Sequence, residues 1–183
     1  GSTSIRGIQA SAVSLDGKTI VGSAFDRNGL ENAAIWQGGT DWRALGSIAP
    51  NAQPCDRLLS STYDASDDGR VVVGLAWNAC NIAHAFRWEE STGLVELGSL
   101  TGESTRGNAI SGDGRVVVGW EEDRTGPRLA AKWVEGREEF IRGPTGPMGE
   151  ARGTNRDGSV IVGSQCDFTN LTGPPTGWRW TAS

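Results

Sequence analysis

The sequence predicts an all-β protein, a four-bladed β-propeller, on three observations. The first is a repeated unit, Ala109-Ile110-Ser111-Gly112-Asp113-Gly114-Arg115-Val116-Val117-Val118-Gly119, with further versions from Ala12 to Gly22, Ala65 to Gly74 and Gly153 to Gly163. Its closing glycines, Gly22, Gly74, Gly119 and Gly163, are spaced by 52, 45 and 44 residues, close to the period of about 40 to 50 residues of propeller blades. The second is a tryptophan that follows the closing glycine by 14 residues in three copies (Trp36, Trp88, Trp133) and by 17 in the fourth (Trp180). The third is composition: 27 glycines in 183 residues, with short β-branched runs and few helix-favouring stretches, belong to a turn-rich sheet protein.

Each repeat divides into four short strands. The first, as in Asn108-Ala109-Ile110-Ser111, runs into an Asp-Gly pair (Asp16-Gly17, Asp68-Gly69, Asp113-Gly114, Asp157-Gly158) that supplies the positive φ of a tight hairpin turn. The second is an apolar run such as Val71-Val72-Val73 or Val116-Val117-Val118. It does not alternate with polar residues, so both of its faces are expected to be buried between neighbouring blades. The third carries the repeated tryptophan behind small residues, as in Ala33-Ala34-Ile35-Trp36 and Ala130-Ala131-Lys132-Trp133. The fourth, outermost and variable, is read in Trp42-Arg43-Ala44-Leu45, Leu94-Val95-Glu96-Leu97-Gly98 and Glu139-Phe140-Ile141. The last repeat has only three residues after Trp180 and so lacks this strand; Ser4-Ile5-Arg6-Gly7-Ile8 is the candidate to supply it and close the ring. The expected organisation is one domain over residues 1–183, with repeats at approximately 8–48, 61–100, 105–142 and 149–183.

A net charge of −5 with no basic stripe disfavours nucleic acid and acidic membrane surfaces as partners, and no apolar run is long enough to span a bilayer. The expected state is monomeric. Three cysteines without a CxxC pair argue against zinc. Cys55 and Cys80 lie in loop types that emerge on the same face of a propeller, so they form the expected disulfide, which suits an oxidising compartment; Cys166 is left free.

His84 is the only histidine, so a Ser-His-Asp relay with a spare base is not available, and its place in the repeat gives it a packing or hydrogen-bonding role. The four Asp-Gly aspartates are accounted for by their turns. The triplet Glu121-Glu122-Asp123 is the one place where calcium could be considered, against the plainer reading of a solvated acidic loop; no cofactor is expected. The tryptophans divide into repeated ones, read as blade packing, and Trp42, Trp77, Trp120 and Trp178, which do not recur. Trp77 and Trp120 follow the buried strand, in what reads as loops on the face opposite the Asp-Gly turns. A flat apolar face beside Asn78, Asn81, Glu121 and Arg124 suits stacking on a sugar or anchoring a protein partner; the competing reading is a tryptophan that caps the end of a blade.

His84-Ala85-Phe86-Arg87-Trp88, with Leu94-Val95-Glu96-Leu97-Gly98-Ser99-Leu100 and the unit Ala109 to Gly119, resembles the bacterial extracellular HAF-repeat family over nearly the whole chain. The triplet that names the family is intact once, at His84 to Phe86; the other copies read Asn32-Ala33-Ala34, Leu129-Ala130-Ala131 and Thr176-Gly177-Trp178. The resemblance implies export, to the extracellular space or bacterial cell surface with the periplasm as the alternative, as in some autotransporter passenger regions. It implies no shared chemistry and carries over no catalytic residue. The expected function is therefore non-enzymatic binding or adhesion toward a glycan or protein through the loop-rich face. The alternatives are a secreted hydrolase with acidic residues at the central mouth and a structural spacer repeat.

Overall fold

The computed structural model describes residues 7–48, 58–79, 82–144, 146–165 and 176–182. Among these residues the chain is all-β, without a helix, and each repeat is one antiparallel up-and-down sheet. The first sheet is β1 (Gly7–Val13), β2 (Ile20–Phe25), β3 (Glu31–Trp36) and β4 (Arg43–Gly46); the second is β5 (Ser60–Ala65), β6 (Val72–Ala79), β7 (Ile82–Glu89) and β8 (Gly93–Glu96). The third is β9 (Thr105–Ile110), β10 (Val116–Glu122), β11 (Arg128–Val134) and β12 (Arg137–Phe140). A two-residue ladder, β13 (Arg142–Gly143) with β14 (Gly146–Pro147), leads to the fourth sheet of β15 (Ala151–Thr154), β16 (Val160–Gln165) and β17 (Thr176–Thr181). The last sheet has no fourth strand among the described residues. Gly7 and Ile8 belong to β1, where Gly7 pairs with Ala24, so these two residues do not cover the edge at β17; the rest of the proposed closing segment, and Cys55, Cys80 and Cys166, lie outside the described residues.

Two features of the repeat explain why these residues form these sheets. In the turn, Gly17, Gly69, Gly114 and Gly158 all have φ between 66° and 76°, a left-handed conformation glycine adopts without steric cost. The turn is locked by a side-chain relay: Ser111 Oγ donates to Asp113 Oδ1 (2.6 Å) and accepts from the backbone N–H of Val116 (2.9 Å), while Asp113 Oδ1 accepts from Arg115 N–H (3.0 Å). Ser14 and Ser66 repeat it. In the fourth copy Asn155 replaces serine, and its Oδ1 accepts from Val160 N–H (2.9 Å). The Ser111 hydroxyl, then the N–H and charge of Arg115, hold the Asp113 carboxyl below the usual range. The second feature is a β-bulge in the first strand of each sheet, where the register shifts between Ala10 and Ala12, Thr62 and Asp64, Gly107 and Ala109, and Ala151 and Gly153. At the bulge the carbonyl of the first strand lies where a Cβ on the closing glycine would stand, Gln9 against Gly22, Ser61 against Gly74, Arg106 against Gly119 and Glu150 against Gly163.

Among the described residues the core lies between sheets and comes in three parts, one per boundary. Val21 and Ala33 of the first sheet meet Val72, Phe86 and Trp88 of the second; Val73 and Ala85 meet Val117 and Trp133 of the third; Val118 and Ala130 meet Ile161, Trp178 and Trp180 of the fourth. Trp88, Trp133 and Trp180 thus pack at blade boundaries, as their recurrence predicts, whereas Trp36 of the first sheet donates its Nε1–H to Gly39 O (3.0 Å) of its own hairpin. Polar pins cross the same boundaries: Thr62 Oγ1 donates to Gly22 O (2.7 Å), and Thr105 Oγ1 accepts from Ala85 N–H (2.7 Å). The first strands of successive sheets, β1, β5, β9 and β15, lie beside one another and form the inner edge of the array.

Two outcomes are expected. Gly119→Ala should destabilise the protein by roughly 2–4 kcal/mol, because backbone rather than a flexible side chain occupies the Cβ position, whereas Gly177→Ala, whose Cβ meets only Gly163 O at 4.0 Å, should be neutral or slightly stabilising; urea unfolding measures both. Ser111→Ala leaves buried N–H groups without their acceptor and should cost about 1–3 kcal/mol, while Ser111→Asn, which installs the fourth copy's solution, should cost less.

Candidate functional site

The sequence-predicted site residues divide into two places. Trp77 and Trp120 are not in loops: β6 extends to Ala79 and β10 to Glu122, so both belong to strands. Trp77 is half-buried near Asn78, whose Nδ2 lies 3.5 Å from His84 Nδ1, and that histidine nitrogen also contacts Glu96. His84 therefore has the hydrogen-bonding role expected of it. Asn81 lies outside the described residues.

Trp120 is only 4 % exposed, and the expectation of an open ring face is corrected. The guanidinium of Arg128 stacks over its ring at 4.1 Å and that of Arg106 at 5.1 Å. Nor is Glu121 a surface ligand, since it is fully buried. Its Oε1 accepts from Ser99 Oγ (2.5 Å), Thr101 N–H (2.5 Å) and Thr101 Oγ1 (2.7 Å), and Arg124 Nε donates to Thr101 O (3.2 Å). Glu121 and Arg124 thus hold the crossing from the second sheet to the third. Asp123 Oδ1 caps its own turn by accepting from Thr125 N–H and Oγ1. The acidic triplet diverges, and among the described residues no three His, Cys, Asp or Glu side chains converge on a metal position.

Glu121 has a second partner in Glu138 of β12. Burial, then the hydrogen bond and charge of Glu121, push the Glu138 carboxyl up to about 9. Burial also opposes charge on Glu121, but the hydrogen bonds from Glu138, Ser99 and Thr101 outweigh it and lower its pKa. Glu138 is accordingly the protonated member at neutral pH, donating to Glu121.

The richest unrepeated chemistry lies at the inner edge, around Glu150, which is buried and precedes β15. Its Oε1 accepts from Arg106 Nη2 (2.6 Å) and Asn108 Nδ2 (3.0 Å), and its Oε2 from Arg152 Nη2 (3.2 Å) and Arg128 Nη1 (3.5 Å). Arg106 is further fixed by Asn108 Oδ1 (2.6 Å) and lies 4.8 Å from the ring of Tyr63. Arg128, stacked on Trp120, and Arg152, whose Nε also donates to Ser164 Oγ (3.1 Å), make the longer contacts to Glu150 and remain about half exposed. Three guanidiniums against one carboxylate leave two unbalanced positive charges, so the arrangement suits an anionic group with planar acceptor oxygens. These positions were visible in the repeat alignment: 13 and 11 residues before the closing glycines stand Gln9, Ser61, Arg106, Glu150 and Ser11, Tyr63, Asn108, Arg152. Individuality on a first strand, rather than in a loop, was the signal.

Repeated antiparallel sheets stacked face to face with their first strands inward define a β-propeller-like protein. The solved structures similar to it include two TolB proteins. The putative TolB from Agrobacterium tumefaciens is 16 % identical with a TM-score of 0.63, over 92 % of this chain and 59 % of that one. TolB from Acinetobacter baumannii is 13 % identical with a TM-score of 0.61, over 98 % of this chain and 41 % of that one. At such identities the likeness carries the fold alone, and the chain spans less than two thirds of either structure. No family model and no curated protein matches the chain.

The Glu121–Glu138 pair generates a pH prediction. An acid whose folded pKa is raised stabilises most fully below its unfolded value near 4.3 and loses that contribution as pH rises toward about 9. Glu138→Gln keeps a donor toward Glu121 without a titrating proton. The variant should gain on the wild type steadily from pH 5 to 9 in urea unfolding, by less than about 1.4 kcal/mol per pH unit because solvent screens a half-buried group. Parallel pH profiles would remove the shared proton.

Proposed function

We propose that the chain is a non-enzymatic binding module of an exported bacterial protein, its four repeats acting as four blades of one scaffold that recognises an acidic glycan or acidic protein segment. The observation that carries this reading is the arginine cluster around Glu150: a prebuilt cationic site with aromatic support, made from side chains the repeat does not require. Function on a rigid scaffold resides where the repeat is departed from, and the departures meet here. The resemblance to HAF-repeat proteins supports export to the cell surface or extracellular space, with the periplasm as the alternative. Trp77 and Asn78, on the same loop-bearing side, are the proposed flank of the binding surface.

A second reading, a secreted hydrolase, has one observation in its favour, the carboxyl pair that shares a proton as a general acid and its partner do. Against it, Glu121 is sealed from solvent and occupied by Ser99 and Thr101. Hydrolysis of chromogenic glycosides, lost in Glu138→Gln, would favour that reading over binding.

The proposal is tested with an array carrying uronate-bearing and neutral oligosaccharides, alongside acidic and basic peptides. Binding is expected on the acidic members and should weaken with salt. Arg128→Ala and Arg152→Ala should each weaken it by roughly 1.5–3 kcal/mol, the scale of a charged hydrogen bond, with the fold retained by circular dichroism. Retention of neutral ligands only, or undiminished binding in both variants, would overturn the assignment.

A further inference from the structure

The inner edge of the array changes chemistry along its length. The two rows that stand 13 and 11 residues before the closing glycines carry Arg106, Asn108, Glu150 and Arg152 at β9 and the start of β15. At β1 and β5 the same rows hold Gln9, Ser11, Ser61 and Tyr63, none of them charged. These four residues, with Ser23 of β2, line a trough of about 340 Å³ at the boundary between the first and second sheets. Its volume is within the range of about 300 to 1,000 Å³ usual for small-molecule sites.

One residue opens this space. The position after the closing glycine is Ser23, Leu75, Trp120 and Ser164 in successive sheets. Strand alternation puts Ser23 on the same face of β2 as Val21, which packs against the second sheet. In the second and third sheets Leu75 and Trp120 are buried at that position and occupy it with apolar bulk, and in the fourth Ser164 Oγ is taken by Arg152. Ser23 is too small to fill its place. It is only 3 % exposed, and the hydroxyl that reaches the trough makes no hydrogen bond among the described residues. So enclosed a hydroxyl is expected to have a partner, and the trough is where one can enter.

The side chains of Gln9, Ser11, Ser61 and Tyr63 likewise make no hydrogen bond among the described residues. The trough therefore offers four hydroxyls and one amide, all able both to donate and to accept, and none of its lining side chains is charged. An acidic peptide would find neither cations nor a broad apolar floor there, whereas the vicinal hydroxyls of a sugar, which also donate and accept, meet matching groups. Tyr63 joins the trough to the arginine cluster, since its ring lies 4.8 Å from the Arg106 guanidinium. We propose that the ligand is an oligosaccharide with one anionic residue, its carboxylate held by Arg128 and Arg152 and its neutral residues passing Tyr63 into the trough at Ser23 and Ser61. The inference rests on the arginine reading above and narrows it from acidic partners in general to an acidic glycan.

The test is titration followed by amide chemical shifts with three probes: glucuronate, a trisaccharide of one terminal glucuronate and two glucose residues, and tetraglutamate. Wild type should bind the trisaccharide roughly tenfold tighter than glucuronate, the return from two or three neutral hydrogen bonds, with shifts at Ser23 and Ser61 for the trisaccharide alone. Ser23→Leu, which installs the second sheet's residue and fills the trough, should bring that ratio close to one. Ser61→Ala, which removes a hydroxyl and leaves the trough open, should lower it about threefold. Arg128→Ala should weaken both sugars and keep the ratio; thermal melts verify folding of each variant. Equal binding of the two sugars by wild type, or a ratio that survives both serine changes, would overturn the inference and leave the arginine reading standing if glucuronate still binds. Tetraglutamate bound tighter than the trisaccharide would overturn it in favour of a peptide. If none of the three probes binds, the arginine reading itself fails, and this inference with it.

Discussion

The structure depends on a steric constraint: at the inner bulge of every sheet a carbonyl occupies the space of a missing Cβ. Gly22, Gly74, Gly119 and Gly163 each face it. The bulge adds one residue to the first strand and increases its local twist, so the strand beside the axis leans away from its partner. Any side chain at the glycine would push the first strand off the second and carry the boundary residues with it. That is why the closing glycine recurs when residues around it vary from Leu75 to Trp120 and Ser164 in the next position. Stability then comes boundary by boundary, as expected of an array in which each unit contacts only its neighbours.

Features set by local chemistry were readable from the sequence. The Ser-x-Asp-Gly turn, the unalternating valine run and the tryptophan at fixed offset each need only residues close in the chain, and the strands built on them lie where expected. The substitution of Asn155 for serine shows how tight that local code is, since an amide oxygen takes over the hydroxyl's acceptor role for the same N–H. The misreading of Trp77 and Trp120 has a physical cause in the extent of pairing. Trp120 is opposite Arg106 on one side and Ala130 on the other, so the ladder continues past the glycine that seemed to end it. Its burial comes from Arg106 and Arg128 stacking on its ring, and no property of the local sequence around Trp120 announces them.

Glu121 was misplaced for a related reason. An acidic triplet reads as a solvated loop, but β10 is buried on both faces as far as Glu121, which lies on the face where Ser99, Thr101 and Glu138 receive it. Those partners come from another loop and another strand. Isolated, a buried carboxylate would be costly; supplied with donors and a neighbouring acid that keeps its proton, it becomes an anchor for the crossing between sheets.

The same logic separates a site from an accident in the Glu150 cluster. Three guanidiniums converging without a counter-charge would repel one another and splay into water, and a ligand would have to supply the energy of collecting them. Glu150 collects them beforehand. Its Oε1 is taken by Arg106 and Asn108 at 2.6 and 3.0 Å, while the longer contacts of Oε2 to Arg152 and Arg128 leave those two groups with donors to spare. In the proposed role the tightly bound arginine would serve the scaffold and the other two a ligand, with the Trp120 ring under Arg128 limiting the side-chain freedom to be lost on binding. On a chain of net charge −5, a site of this kind would attract the proposed acidic partner only at short range, where the local excess of positive charge outweighs the screened field of the rest. Selectivity for a partner that can reach into the inner edge follows from that balance.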